Sequence, residues 1–225
     1  MVWQRARSKE QKEQRRTALL AAASRLLESH DLDHISLNRI AREANISKAN
    51  VYRYFESREE LFLHLVLETL EHLVGVLVRR LGSLSASGDE RGVARAFAST
   101  IAEYPRFARL SSVLGTVLER NVSADTVADF KNAYLRSMTE VVAAVASALP
   151  DLATEDAAQL VQTCLFVMVG MWPAAHPAPA VSEALKRPEL AAFRIDFEAD
   201  LERILVTAIR GLRAARTGPE GVSPA

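Results

Sequence analysis

The stretch SLNRIAREANISKANVYRYF, residues 36–55, decides how the chain is read. Ser36 is a helix-opening residue, and Leu37, Ile40, Ala41 and Ala44 recur at the spacing that turns one face of a short helix, Leu37 to Glu43, inward. Asn45 follows as one of the few non-glycine residues that tolerates the left-handed backbone of a tight turn. Ser47 then opens a second helix, Lys48 to Phe55, whose Val51 and Phe55 lie four apart and pack inward. At about 100° per residue, this leaves Ala49, Asn50 and Arg53 outward, with Lys48, Tyr52 and Tyr54 on the flanks.

Two short helices joined by a three-residue turn form the geometry that lays a second helix in a DNA major groove. The outward side chains suit that use. Ala49 permits close approach, Asn50 can bond bidentately to adenine, and Lys48 and Arg53 can bond to guanine or phosphate. Tyr52 and Tyr54 can meet a thymine methyl or a phosphate oxygen. Ser36, Ser47 and Arg58 stand at helix N-termini, where backbone amides favour a phosphate, and Asn38 lies in the first turn beside Ser36. A plain helical hairpin with a solvated polar face is the competing reading.

The charge distribution supports an anionic partner. Lys and Arg balance Asp and Glu at 28 each, yet residues 1–58 hold 12 basic against 7 acidic residues and the remainder is correspondingly acidic. Arg5, Arg7, Lys9, Lys12, Arg15 and Arg16 crowd the first sixteen positions, a run whose bland reading is a solvated tail.

Helical periodicity continues through the rest of the chain, and strand-like alternation is missing, so an all-α fold is expected. Upstream, Leu19, Leu20, Ala23, Leu26 and Leu27 make the inner face of a first helix ending near His30. Ser57-Arg-Glu-Glu60 is a capping-box sequence that opens a long helix carrying Leu61, Phe62, Leu65, Val66, Leu70, Leu73, Leu77 and Leu81. Residues 82–88 end it. Further helices are expected at about 89–103, 105–120, 124–149, 155–172, 180–186 and 196–213, with Trp172 to Pro179 as a connection that prolines keep from being helical and residues 217–225 frayed. The division is an N-terminal arm and helix-turn-helix domain over 1–57 and a larger helical domain over 58–225.

Other chemistries find little support. His64, Glu68 and His72 are spaced four apart on a polar stripe that reads as solvated surface, and His30 and His34 flank a loop without ligand geometry, so no metal is assigned. The single Cys164 excludes an internal disulfide and reads as a small buried hydrophobe. Gly-rich phosphate loops and hydrolase or metalloprotease motifs are missing, so neither an enzyme nor a cofactor is expected. The apolar run Cys164 to Trp172 falls short of the roughly 20 residues that span a bilayer, and no leader-like start is seen, so a cytoplasmic protein without a membrane partner is expected.

Over residues 36–62 the chain resembles the tetracycline-repressor (TetR) family of bacterial transcription regulators. The match runs through Ser36, Ile40-Ala41, Ala44, Ile46-Ser47, Tyr52, Tyr54-Phe55 and Ser57 to Leu61. It departs at Asn45 for the usual turn glycine, Ala49 for a common glycine and Arg58 for the usual lysine, each keeping a workable property. The resemblance implies a homodimeric repressor that binds a palindromic double-stranded DNA operator and is released by a small-molecule effector. It implies a ligand pocket in the central helices, where Phe97, Tyr104, Phe107, Met138, Phe166 and Trp172 suit an apolar or amphipathic molecule. It also implies a dimer through the last long helices, where Phe197, Leu201, Ile204, Leu205, Ala208, Ile209 and Leu212 form an apolar stripe whose bland reading is packing within one chain. An activator or protein-responsive regulator is the alternative within DNA-binding proteins, and a helical scaffold or enzyme the alternative outside them.

Overall fold

In the computed structural model, which describes residues 2–217 and side chains from Glu10 to Arg216, every regular element is helical. The chain divides into two units, Met1–Glu68 with Val113–Ala133, and Thr69–Ser112 with Tyr134–Ala225. Residues 113–133 therefore join the N-terminal unit rather than the larger one.

The first unit begins with α1 (Val2–Ser29), followed by a 3-10 turn at Leu32–His34, α2 (Leu37–Glu43) and α3 (Lys48–Val51). The start of α4 (Arg58–Gly82) completes this part. Leu19, Ala22, Ala23, Ile35, Ile40, Val51, Phe55 and Phe62 are at most 1% exposed, so the inward faces read from the sequence converge on one core. The helix α1 runs through the basic segment whose bland reading is a solvated tail. The side chains of Arg5, Arg7 and Lys9, and the whole of 218–225, lie outside the described residues.

Three local signals account for the turn chemistry. Ser36 Oγ accepts from the Arg39 amide at 3.2 Å and caps α2. Asn45 has φ of 53°, and the bonds Asn45 N to Arg42 O and Ile46 N to Ala41 O close the end of α2 in a Schellman arrangement. Ser57 Oγ accepts from the Glu60 amide at 3.0 Å, half of the expected capping box; the Glu60 carboxylate reaches back to the Glu56 amide instead.

In the second unit, α10 (Phe197–Thr217) packs on α5 (Glu90–Glu103) and on α8 (Thr154–Ala175), and α6 (Pro105–Ser111) packs on α5 and α8. The helix α7 (Ala124–Ala148) begins in the first unit and continues into the second. Its last carbonyls are taken up by the loop after α4, where Ala86 N donates to Ser147 O and Gly88 N to Ala148 O. Gly88 does so at φ of 66°, a conformation in which glycine carries no Cβ penalty.

Three expectations about elements need correction. The predicted helix 105–120 breaks into α6 and a π turn at Leu114–Leu118, where Leu118 N bonds Val113 O at 3.3 Å and Glu119 N bonds Leu114 O at 3.0 Å in the wider i to i+5 pattern. The segment after Trp172 stays helical to Ala175 despite Pro173, because proline removes only one ladder bond and His176 N closes the final turn on Trp172 O at 3.0 Å. After α9 (Pro179–Ala184) an unexpected 3-10 turn spans Pro188–Phe193, and the Arg194 guanidinium donates to the carbonyls of Leu185, Lys186 and Arg187 at its two ends.

By length and composition α4 and α8 could cross a bilayer, but half of the most apolar window of α4 and a third of that of α8 are buried within the protein. Both are accounted for as helices that supply core side chains.

Candidate nucleic-acid interface and ligand cavity

The second helix of the hairpin is shorter than the sequence suggested. Regular α geometry ends at Val51, after which Arg53 N bonds Asn50 O and Tyr54 N bonds Val51 O in the tighter i to i+3 pattern. Phe55 N also bonds Val51 O at 3.2 Å, the i to i+4 spacing that keeps both of these side chains on the inner face. Ser47, Lys48, Ala49 and Arg53 are exposed, Asn50 and Tyr54 half-buried, and Tyr52 is 54% exposed. Ser36 and Asn38 are exposed at the start of α2. Val51 and Phe55, at 0% and 1%, hold the inner face. The facing expected from the sequence therefore holds for Lys48, Ala49 and Arg53 outside and Val51 and Phe55 inside, whereas Asn50, expected outward, is half-buried.

Ser47 adopts the extended backbone of a helix-opening residue but makes no side-chain cap bond, so its hydroxyl does not cap α3 as expected. Arg58 differs more. Its Nε donates to Glu59 Oε1 at 2.7 Å and its Nη1 to the carbonyls of Leu32 and Ile35, both at 3.2 Å. Glu59 is 5% exposed. The guanidinium expected at an open helix N-terminus is thus spent on holding the 3-10 turn against α4.

The cations of this unit sort into two groups. Arg25 pairs with Glu43 at 3.2 Å, and Arg39 meets His30 Nε2 and the His34 carbonyl. Arg16 donates to the His64 ring at 2.8 Å and lies over the Phe55 ring at 5.5 Å, while His64 and Phe55 are 5.7 Å apart. Burial, and then the Arg16 charge, hold the His64 imidazole down at about 4, so it is neutral at pH 7 and accepts from the guanidinium. Burial raises the neighbouring Glu60 carboxyl, whose Oε1 lies 3.8 Å from His64. His64 is therefore half-buried mortar, not part of the solvated stripe expected of it. Lys12, Arg15, Lys48 and Arg53, by contrast, are exposed and enter no ion pair among the described residues.

A contact without any sequence signal follows Phe55. The Glu56 carboxylate accepts from Ser123 N at 3.3 Å and from Thr126 Oγ1 at 2.9 Å, which caps the start of α7 and lowers the Glu56 carboxyl, the Thr126 bond contributing most.

In the second unit an apolar cavity of about 20 Å³ is lined by Leu70, Leu73, Leu77, Phe97, Ile101, Phe107, Met138, Val141, Val161, Cys164 and Leu165. It includes three of the residues expected in a pocket, Phe97, Phe107 and Met138. The other three are elsewhere. Tyr104 is half-buried at the junction of α5 and α6. Trp172 is 7% exposed and is spoken for by His176, stacked at 3.8 Å, and by Phe197, edge-on at 4.9 Å. Phe166 is 70% exposed and lines no cavity, because it falls on the face of α8 opposite Cys164 and Met168. Burial pushes the Cys164 thiol up to about 12, consistent with its reading as a buried hydrophobe.

The stripe on α10 is likewise divided. Phe197, Leu201, Leu205 and Ile209 are 0–7% exposed within their own chain, so these residues belong to the intrachain core that α10 makes with α5 and α8. Ile204, Ala208 and Leu212, offset by three positions, stay half-exposed.

Comparison with known proteins agrees with this architecture. Residues 19–65 match the family described as bacterial regulatory proteins, tetR family, and residues 67–216 match the family described as tetracyclin repressor-like, C-terminal domain. An uncharacterized HTH-type transcriptional regulator of Mycobacterium bovis is 39% identical over 59 residues, a match spanning 26% of this chain and 29% of that protein. A crystal structure of a candidate TetR-family regulator from Streptomyces coelicolor A3(2) has a TM-score of 0.58 at 23% identity, covering 89% of this chain and all of that one. The fatty acid degradation regulator FadR of Bacillus halodurans has a TM-score of 0.53 at 12% identity, covering 87% and 96%. With both halves of the family's architecture matched, the chain belongs to the tetracycline-repressor family and is a helix-turn-helix transcriptional regulator, not an enzyme.

Proposed function

We propose that this protein is a homodimeric, cytoplasmic repressor that reads a two-fold operator and is released by a small apolar or amphipathic ligand. The observation that carries the DNA-reading part is the solvent-facing side Lys48, Ala49 and Arg53, exposed and without an ion pair among the described residues, with the half-buried Asn50 beside them and the buried Val51 and Phe55 behind. Asn50 and Lys48 are the base readers in this reading, with Ser36, Asn38, Ser47, Tyr52 and Tyr54 on backbone or flanking contacts. Arg58 is reassigned from phosphate contact to support of the fold, since its donors are already engaged.

A four-residue helix spans too few base pairs for adequate specificity, which favours two half-sites read by a dimer. The apolar side chains left for a dimer are the exposed Phe166 of α8 and the half-exposed Ile204, Ala208 and Leu212 of α10, two helices that pack on each other. The cavity of about 20 Å³ has room for little more than one water-sized probe, so a ligand must select an opened conformation. Such a ligand displaces DNA only if the opened state binds the operator less well.

The test is fluorescence anisotropy against the protein's own upstream DNA and a scrambled duplex of equal length. A preference of about 10³ or more for one palindromic segment is expected. Equal affinity for both duplexes across salt concentrations would refute sequence-specific regulation.

A further inference from the structure

Beside the groove-facing residues the first unit carries a cleft of about 330 Å³ between α1 and the turn that follows α3, lined by Gln11, Lys12, Arg15, Arg53 and Tyr54. Among the described residues three that line it are cationic and none is acidic. Among the described residues Lys12, Arg15 and Arg53 enter no ion pair, whereas the nearby Glu13 is directed to Arg16 at 3.8 Å. Three like charges around one concavity repel each other in the free protein, a cost that an anion between them would turn into attraction. Tyr54 and Gln11 add neutral donors to the same space.

We propose that this cleft seats one backbone phosphodiester of the operator, so that α1 is part of the DNA interface and Arg53 is a phosphate ligand, not a base reader. The placement follows from the backbone. Arg53 lines the cleft and is exposed on the same turn as Lys48 and Ala49, with its amide bonded to Asn50 O, so the cleft adjoins the face that would enter the groove and would meet the strand bordering it. Lys12 and Arg15, three apart on α1, close the opposite wall. A guanidinium on each side offers the forked geometry that suits a phosphate's non-bridging oxygens, with the Lys12 ammonium as a point charge. The proposal rests on the DNA-binding reading above and adds to it the position and number of the phosphates held.

The number can be measured. Three cations on three separate phosphates would contribute about 2.7 to the slope of log affinity against log salt, whereas three cations on one phosphate contribute about 0.9. Lys12→Gln, Arg15→Gln, Arg53→Gln and the triple variant are compared with wild type on operator and scrambled duplexes, after thermal melting establishes that all are folded. Each single substitution is expected to weaken both duplexes alike, by about tenfold or less, and the triple variant to lower the slope by about 0.9. An operator series bearing one uncharged methylphosphonate linkage at a time should show one position per half-site that weakens wild type but leaves the triple variant indifferent.

A slope loss near 2.7, or a methylphosphonate profile identical in wild type and triple variant, would overturn the single-phosphate cleft. Inorganic phosphate at matched ionic strength is the second arm. Saturable protection of wild type, but not of the triple variant, with no linkage-specific effect, would assign the cleft to a free anion and also overturn the proposal. Asn50→Ala keeps the two readings apart, since it should lose sequence preference while retaining the wild-type slope. Absence of operator binding by wild type would instead remove the DNA-binding reading itself.

Discussion

Replacing Arg58 by Ala separates a residue that holds the fold from one that touches DNA. The guanidinium makes one charged bond, to Glu59 Oε1 at 2.7 Å, and two to the carbonyls of Leu32 and Ile35 at 3.2 Å. The Arg58 side chain is 25% exposed and that of Glu59 only 7%. A hydrogen bond between charged groups contributes about 1.5–3 kcal/mol and each carbonyl bond about 0.5–1.5 kcal/mol. Water entering the vacated space recovers part of this, leaving a loss of about 3 kcal/mol, at the low end for breaking a buried pair. For a chain of this size that corresponds to a fall of roughly 6–12 °C in the unfolding midpoint. Arg58→Lys should recover the Glu59 pair but not both carbonyls, and fall between the two. Arg58→Met with Glu59→Leu should melt higher than Arg58→Ala, because no orphaned carboxylate remains buried. Circular dichroism melting gives the midpoint, and operator affinity is read well below it. An Arg58→Ala protein that melts like wild type yet binds all DNA about tenfold more weakly would refute this assignment and restore Arg58 as a phosphate contact.

Other outcomes follow from the same geometry. His64 is held at about 4 against 6.5 for an unperturbed imidazole, so the folded state binds the proton less well than the unfolded one. Its contribution is complete above about pH 6.5 and is lost as pH falls towards 4. Between pH 7 and 4.5 the urea midpoint of wild type should fall by an amount worth about 1 kcal/mol more than that of His64→Gln, a figure reduced for water reaching the side chain, and equal acid limbs would contradict this. Leu201→Glu, at a position 0% exposed, should prevent folding, whereas Phe166→Glu, at a position 70% exposed, should give a folded monomer by light scattering that no longer binds DNA; a Phe166→Glu dimer would move the interface elsewhere. Cys164, its thiol raised to about 12 by burial, should resist iodoacetamide at pH 8 in the folded protein and become reactive when the cavity opens, so labelling rate reports candidate ligands directly. Rapid labelling of the folded, ligand-free protein would show the cavity already open.

The parts of this protein legible in its sequence are those settled within a turn or two of chain. Ser36 capping α2, Asn45 at positive φ, and Val51 with Phe55 facing inward depend on neighbours at most four or five residues away, and local sterics and hydrogen bonding select them wherever the segment folds. The apolar periodicity of α4, α7 and α10 was readable for the same reason. Periodicity states which face is apolar but not what covers it. On α10 the packing of α5 and α8 buried Leu201 and Leu205 and left Ile204 and Ala208 half-open, and on α8 it turned Phe166 outward. Charge behaves likewise. Arg58 and Arg53 look equivalent in the sequence, yet Arg58 meets carbonyls 23 and 26 residues away while Arg53 borders a cleft completed by α1. Arg16 with His64, and Glu56 with Thr126, join positions 48 and 70 residues apart. Sequence determined the local geometry because each such choice is enforced by bonds within the same short segment. Which cations are spent on the fold and which remain for a phosphate was decided only when distant segments met, since a side chain's partner is set by proximity in space.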